Sequence, residues 1–363
     1  MKKINVLLVL WLSTFFAAAQ STESWYKVYT GKVGNLAATL HLHKAGKNFS
    51  GYIWFAQNQW PMPLFPGEST SNPDSISVSA ISGPVSLVLS GVISGDNFNG
   101  NSILAKENSG EKKAPFQLQL STDKTFTLFN YLYSEGNTTL AKKYNNDSQC
   151  DYFAATVWPS GNSTADPALK KQILQMLNIK TPAVQISKWL TDEKNKVLTT
   201  WKTENEKMPP KEVSEMGLSL SSQQEDRIMV MYENEQHITL ADYSYSFSGG
   251  AHGNYTTTLA CYNKQSSKRL QLPDVVNPAG IKLLPSLLDQ VARLQYGIKN
   301  NKPLDQNSFL VNKILPAANF YITSSGIGFL YAPYEIKSFA DGEVNLLIPF
   351  SALNNYLMPG YKH

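Results

Sequence analysis

His41 and His43 are the first residues whose type and spacing could support chemistry. They stand two apart in an alternating apolar segment, so on a strand both imidazoles point to the same face. Two neutral imidazoles can begin a zinc site, but zinc needs three or four protein or water ligands. No Cys or carboxylate pattern nearby supplies the remaining ligands. We therefore predict a solvated strand face without a metal.

His252 is the second candidate, because it lies in a glycine-rich turn where a general base could be exposed. Ser248 is close in sequence but lacks the G-x-S-x-G pattern of a nucleophile elbow. No Asp is placed by the sequence to orient the imidazole ring. The glycines of this turn are explained by a backbone that needs positive φ angles. A structural role, a ligand contact and catalysis therefore all stay open for His252, and we favour the structural role.

Tyr334 and Glu335 follow a proline near the C-terminus. Glu335 could be mistaken for an acid catalyst, with the ring of Tyr334 beside it. A glycosidase needs two carboxylates at a fixed separation, and no acidic pair is singled out by the sequence. We expect Glu335 to accept hydrogen bonds from backbone donors. The sequence has no phosphate loop, dinucleotide fingerprint, CxxC or HExxH motif, so we predict no catalytic residue, no metal and no cofactor. The candidate ligand-binding residues are Tyr245, Gly249, Gly250, His252, Tyr255, Tyr334 and Glu335.

The sequence has two cysteines, Cys150 and Cys261, so only one disulfide pairing exists. It can form if the protein is in an oxidising compartment. The link would close a loop of about 110 residues and stabilise the fold by about 4–5 kcal/mol in the chain-entropy model. The spacing does not show whether the two Cα atoms lie close enough. We predict the disulfide, with two buried free thiols as the alternative.

The first twenty residues have the three parts of a secretory signal. Lys2 and Lys3 form the basic region, residues 4–16 are mainly apolar, and residues 17–19 are small alanines at a cleavage site. The apolar run is shorter than the roughly 20 residues of a membrane-spanning helix. We predict a signal peptide over residues 1–19, cleaved near Ala19-Gln20. The mature protein is then periplasmic or secreted, with no stable membrane insertion.

The charge balance excludes one class of partner. Removing Lys2 and Lys3 from the 32 basic residues leaves 30 against 28 acidic residues, a net charge of +2. A nucleic-acid-binding protein would show a clustered basic face, so we predict no nucleic-acid partner. The 18 Tyr, 16 Phe and 7 Trp fall in many short alternating runs, which favours β structure.

Three segments differ in pattern. Residues 20–140 are short strands separated by turns rich in Gly, Asn, Pro and Ser, which is typical of an antiparallel barrel or sandwich. Residues 141–225 form a variable segment with two predicted helices, and residues 226–363 return to strands with one long helix that stops at Gly297. The predicted class is α+β: an N-terminal antiparallel β barrel or sandwich, then an α/β domain with a mainly antiparallel sheet and packed helices.

Several short runs carry a family resemblance. Residues 245–253 (YSFSGGAHG), 270–275 (LQLPDV), 326–331 (GIGFLY), 334–336 (YEI) and 340–342 (ADG) resemble motifs of the RsiV/PdaC-type extracytoplasmic domain. With the variable segment that usually precedes it, the resemblance covers about residues 147–363. That family is known as an α/β module that binds lysozyme in a lysozyme-sensing anti-sigma factor. It also forms the non-catalytic half of a peptidoglycan deacetylase.

The resemblance implies a binding module at the cell envelope. This chain departs from both family settings, because its sequence shows neither a membrane span with a sigma-binding segment nor a metal-binding deacetylase domain. We therefore expect an exported, non-catalytic binding protein, whose partner is peptidoglycan, as a wall glycan, or a protein such as a lysozyme. The alternative is a cell-wall-active hydrolase with a site around His252.

Overall fold

The computed structural model describes residues 23–57, 59–67, 75–106, 110–161, 166–180 and 184–361. The predicted signal peptide lies outside these residues. The described strands form a closed eight-stranded barrel, a five-stranded sheet and a three-stranded sheet, and helices pack on the last two. The predicted α+β class is confirmed, with an antiparallel barrel at the N-terminus.

The barrel closes because its first strand pairs with its last, and all neighbouring strands are antiparallel. Residues that alternate along each strand fill its interior, among them Leu40, Leu42 and Phe98. Several hairpins turn on two residues of which the first is glycine at positive φ, as at Gly34 and Gly95. The strands are β1 Ser24–Val33, β2 Leu36–Ala45, β3 Asn48–Phe55, β4 Met62–Pro66, β5 Ser75–Ser82, β6 Val85–Ser94, β7 Asn97–Lys106 and β8 Gly110–Leu120.

The five-stranded sheet has the order β13-β12-β11-β10-β9. Its strands are β9 Phe129–Thr139, β10 Gln149–Pro159, β11 Ser222–Glu233, β12 His237–Phe247 and β13 Asn254–Asn263. Among the described strands of this sheet, β10 and β11 are the parallel pair, and parallel neighbours need a crossover connection. The described residues of that connection include the helices α1 Asp166–Met176, α2 Ile186–Asn205 and α3 Pro210–Met216. The domain bounds stay a prediction, but the change from barrel to second sheet lies between 120 and 129, ahead of the predicted bound at 140.

The C-terminal part combines two helices with the three-stranded sheet. The elements are α4 Leu272–Val275, α5 Pro278–Tyr296, β14 Phe320–Ile322, β15 Gly326–Tyr331 and β16 Val344–Pro349. Helix α5 begins at the cap Asn277, whose side chain accepts from the Gly280 N–H at 2.9 Å. It ends at Gly297 with φ 66°, as the sequence predicted. Within the described residues, no helix combines the length and the apolar character needed to cross a membrane.

The prediction that His41 and His43 lie on a solvated strand face is wrong. Both are completely buried, because β1 and β2 pack with their outer face on β9, and β2 and β3 pack on β11. His41 Nδ1 lies 2.7 Å from the Tyr26 hydroxyl, and His43 Nε2 accepts from the Val230 N–H at 3.2 Å. The two faces of β2 do alternate, with Leu40 and Leu42 in the barrel interior, but the face opposite that interior is covered by the second sheet.

Arg227 carries a charge into the same interface. Its side chain is only 4% exposed, and its guanidinium lies 4.1 Å from the centroid of the Phe153 ring. It donates to the hydroxyl of Ser50 on the barrel at 3.0 Å and pairs with Glu225 on its own strand. A buried guanidinium is tolerated only where its donors are paired, so these contacts fix how the two sheets dock.

The predicted disulfide between Cys150 and Cys261 is also wrong, because both thiols are buried and free. Cys150 is on β10 and Cys261 is on β13, and two strands separate them in the sheet. At about 4.8 Å per strand, the two strands lie about 14 Å apart. A disulfide needs Cα atoms within about 7 Å.

We expect both cysteines to be titratable as free thiols. Protein produced without the predicted signal peptide, purified without reductant and then denatured, should react with dithiobisnitrobenzoate at both positions. The melting temperature of the native protein should be the same with and without reductant. A Cys150→Ser variant, which lacks one of the two thiols, should give half as many reactive thiols per chain and so serves as the control. A fall in melting temperature on reduction would contradict the sheet order, because only a formed disulfide is lost with reductant.

Acid should weaken the packing of barrel on sheet. Burial lowers the pKa of His41 to about 3, and burial, followed by the charges of His41 and Arg227, holds the pKa of His43 well below its usual range. The unfolded histidines bind protons below about pH 6.5, so the folded state loses stability as pH falls from that value towards the folded pKa. Each histidine contributes a loss of up to about 1.4 kcal/mol per pH unit.

Urea unfolding of the wild type and of His41→Gln and His43→Gln variants between about pH 7 and pH 4 measures this loss. The comparison with the variants is needed because burial raises the pKa of Asp242 and Glu343 to about 7. These carboxyls titrate in the same pH range, and their protonation stabilises the folded state as pH falls, which opposes the effect of the histidines. If the free energy of unfolding changed equally with pH in the wild type and the variants, the two histidines would not be held neutral in the folded state.

Candidate functional site

A cleft of about 380 Å³ lies where the barrel, the five-stranded sheet and the C-terminal part meet. The barrel contributes Tyr52 on β3 and Phe65 on β4, and the sheet contributes Tyr243 and Tyr255. The C-terminal part contributes residues 339–343 and Asn345. The volume is in the range of small-molecule sites, about 300–1,000 Å³.

Aromatic rings form a continuous row beside this cleft. Tyr243 and Tyr255 lie on adjacent strands, diagonal to each other, and their ring centroids are 6.1 Å apart. Phe65 is 5.4 Å from Tyr243 at one end of the row, and Phe339 is 5.8 Å from Tyr255 at the other. The ring row is therefore Phe65, Tyr243, Tyr255 and Phe339.

Glu343 is the acidic group of the cleft that lacks a full set of partners. Its Oε2 accepts from the Thr257 hydroxyl at 3.0 Å. Its Oε1 is buried and has no hydrogen-bond partner among the residues that the structure describes. Burial raises the pKa of this carboxyl to about 7, against the hydrogen bonds from Thr257.

Asn345 is held more firmly. Its Oδ1 accepts from the Tyr321 hydroxyl at 2.8 Å, and its Nδ2 approaches the Pro61 carbonyl at 3.5 Å. These contacts join β16 to β14, the far strand of the three-stranded sheet, and to the barrel. The amide therefore braces the cleft wall and has less hydrogen-bonding capacity left for a ligand than Glu343.

Lys337 anchors the segment that carries Phe339. Its side chain is buried, with Nζ 4.7 Å from the ring centroids of both Tyr296 and Phe309. Nζ also donates to the Ser308 hydroxyl at 2.7 Å and pairs with Asp341 at 3.0 Å. This ammonium neutralises Asp341 and ties the cleft wall to helix α5.

Three of the predicted site residues come together around Phe339. Tyr255 lines the cleft, and the exposed His252 ring stacks on Phe339 with centroids 4.2 Å apart. Tyr334 is exposed, has φ 69° and lies 5.7 Å from Phe339. A non-glycine residue at positive φ is uncommon, and such residues often occur at functional sites.

The other four predicted residues have structural contacts with the backbone or form its turns. Gly249 and Gly250 have φ angles of 81° and 97°, which supports the turn interpretation. Tyr245 packs directly on Gly253 and leaves no room there for a Cβ. Glu335 Oε2 accepts from the Ala332 N–H at 2.9 Å, as expected for a carboxylate paired with a backbone donor.

The geometry around His252 bears on the hydrolase alternative. Its Nδ1 donates to the Gly253 carbonyl at 2.9 Å, and the described contacts pair its ring with no hydroxyl, thiol or carboxylate. A nucleophile and its base normally lie within hydrogen-bond reach. In the described part of the chain, no group of three or more His, Cys, Asp or Glu is placed to hold a metal ion.

Sequence reasoning missed Tyr52, Phe65, Phe339 and Glu343. Tyr243 had a signal, because it shares the alternating face of β12 with Tyr245. Tyr52 and Phe65 lie far from the C-terminal motifs in sequence, so no local pattern links them to Glu343. Their meeting is a consequence of the docking of barrel on sheet.

The comparisons with known proteins give a family match for part of the chain. Residues 274–351 match the family described as protein of unknown function DUF3298. The match runs from within α4 through β16 and includes Phe339 and Glu343, whereas the barrel and the five-stranded sheet lie outside it. No curated protein matches this chain.

One solved structure extends the likeness to the fold, and a second is similar at a lower TM-score. A DUF3298 family member from Bacteroides fragilis NCTC 9343 is similar at 19% identity, over 64% of this chain and 94% of that chain, with a TM-score of 0.56. A DUF3298 family protein from Pseudomonas aeruginosa PAO1 is 16% identical over 65% of this chain and 97% of that chain, with a TM-score of 0.47. This chain therefore contains a segment that matches DUF3298, and it shares the fold of a solved member of that family.

Proposed function

We propose that this protein is an exported, non-catalytic binding protein of the cell envelope, and that it takes a wall glycan into the cleft beside the ring row. The observation that carries the proposal is the combination of four adjacent aromatic rings with the partly paired carboxyl of Glu343. A pyranose ring has apolar C–H faces that pack on aromatic rings and polar edges that need hydrogen-bond partners. The cleft offers both.

The shape of the site favours a glycan over a protein ligand. The cleft volume of about 380 Å³ is in the range of small-molecule sites, whereas a standard protein–protein interface is a surface of about 800 Å² on each partner. A strongly basic lysozyme would also require an acidic patch, whereas the predicted mature chain is nearly neutral. The signal peptide predicted for residues 1–19 and the RsiV/PdaC-type resemblance support a place at the envelope.

The contacts of His252 support binding without turnover. Its Nδ1–H is committed to a backbone carbonyl and its ring to Phe339, so it extends the aromatic surface. Glu335, the other candidate acid, is engaged by the Ala332 N–H. Both residues therefore have contacts that suit a wall of a binding site.

We expect a loss of glycan binding when a ring of the row is removed. Phe65→Ala should weaken binding of soluble wall oligosaccharides about tenfold, since an aromatic contact contributes about 0.5–1.5 kcal/mol beyond its buried area. Titration calorimetry on mature protein measures the affinity. Phe49→Ala is the matched control, because Phe49 is also a half-buried barrel phenylalanine, packs on Trp25 and does not line the cleft.

The wild type and Phe49→Ala should be retained on insoluble peptidoglycan with no wall fragments released, and less Phe65→Ala should be retained. Retention on immobilised lysozyme instead, unaffected by Phe65→Ala, would replace the glycan with a protein ligand. Fragment release that persists after repurification and disappears in His252→Ala would establish the hydrolase alternative.

A further inference from the structure

The buried carboxyl of Glu343 points to the kind of sugar that the cleft would take. One oxygen is satisfied by Thr257, while Oε1 is out of contact with water and has no partner among the described residues. A buried polar atom without a hydrogen bond is energetically expensive, and such atoms are rare in folded proteins. Because Glu343 lines the cleft, a rotation of its carboxyl would bring Oε1 within reach of a donor that enters the cleft.

The charges of the cleft restrict the ligand further. Its described lining residues include two carboxylates, Asp341 and Glu343, and no Lys or Arg. Asp341 is already paired with the Lys337 ammonium at 3.0 Å and accepts from the Ser338 hydroxyl at 2.6 Å. Glu343 is therefore the acid whose charge is left for a ligand, and anionic sugars should be repelled.

Glu343 is adjacent to Tyr255 of the ring row in the cleft. Gly342 has φ 70°, and a Cβ built there would lie 2.9 Å from the Tyr255 hydroxyl, so the backbone beside Glu343 touches Tyr255. Thr257, which holds Glu343, is two residues beyond Tyr255 on the same strand. A sugar stacked on Tyr255 would therefore bring its ring substituents close to Glu343.

We infer that Glu343 Oε1 accepts a hydrogen bond from the nitrogen substituent of a sugar stacked on the ring row, so that the cleft selects amino sugars. The inference rests on the proposed glycan-binding function. An N–H is a donor only and matches a carboxylate, and the bond is stronger where the nitrogen is an ammonium. Two sources share this chemistry, a free amino group and an acetamido group, and the experiment separates them.

A pH dependence follows from the groups around Glu343. Tyr52, Tyr243 and Tyr255 face it from β3, β12 and β13, and burial raises the pKa of each above its usual range, so they stay neutral. Burial raises the pKa of Asp341, but hydrogen bonds from Ser338 and Lys337 outweigh it, and the pKa stays below its usual value. Around neutral pH, Glu343 is then the group of this set that changes charge, since its pKa is about 7.

The experiment compares four oligosaccharides of equal length by titration calorimetry on mature protein. They are oligomers of glucosamine, N-acetylglucosamine, glucose and galacturonic acid. We expect the glucosamine or the N-acetylglucosamine oligomer to bind at least about tenfold more tightly than the glucose oligomer, and the galacturonate oligomer to bind worst. For the N-acetylglucosamine oligomer, whose acetamide does not titrate, affinity should rise about tenfold from about pH 5.5 to pH 7, as Glu343 ionises.

Glu343→Gln tests the residue itself, because glutamine keeps an oxygen for Thr257 but loses the charge. It should reduce the preference for the nitrogen-bearing sugar to within about twofold of glucose and remove the pH dependence. Asp341→Asn is the matched control, an acid of the same cleft that is already paired, and should keep the preference. A thermal melt checks that each variant is folded.

The outcomes separate the two proposals. Tight binding of only the amine or only the acetamide identifies the source of the N–H. Equal binding of glucose and both nitrogen-bearing sugars by the wild type overturns the amino-sugar inference and leaves glycan binding intact, even if Glu343→Gln does not fold. No binding of any of the four sugars overturns both.

Discussion

The packing of the barrel's outer face on the five-stranded sheet is the interaction on which the rest of the structure depends. It buries polar groups, His41 and His43 from the barrel and Arg227 from the sheet, which are costly to desolvate. Contacts with Tyr26, Val230 and Ser50 reduce that cost. Two of them cross from barrel to sheet, His43 with Val230 and Arg227 with Ser50, and these fix the docking geometry. Hydrogen bonds depend on direction and distance, so a shifted barrel would lose both at once.

The cleft is a product of this docking. Tyr52 from the barrel shares an apolar cluster with Met231 of the sheet and Leu330 of the C-terminal part, so three regions of the chain meet at its base. The DUF3298 match covers only the wall that carries Phe339 and Glu343. If the glycan proposal is correct, the binding surface belongs to the whole chain, and the matched segment alone would lack the rings of Phe65, Tyr243 and Tyr255.

The fold could be predicted where a local pattern decides the outcome. Alternation identified Leu40 and Leu42 as interior residues, and Gly297 ended its helix, because side-chain direction and positive φ are local properties. The same alternation could not show that the face of His41 is covered, since that depends on β9 and β11, strands that follow much later in the chain. The cysteine spacing failed for a similar reason, because sheet order decides the separation of β10 and β13.

The candidate site was predicted only in part, and the physical reason also bears on its chemistry. Tyr255 and His252 were recognisable from aromatic and glycine patterns, whereas Glu343 follows an ordinary turn and has no local signal. What distinguishes Glu343 is burial among residues contributed by distant strands, and burial is a tertiary property. Exclusion of water both raises the pKa of its carboxyl and strengthens any hydrogen bond that Oε1 makes. Selectivity for a nitrogen donor would thus arise from the same docking that closes the cleft, without a dedicated sequence motif.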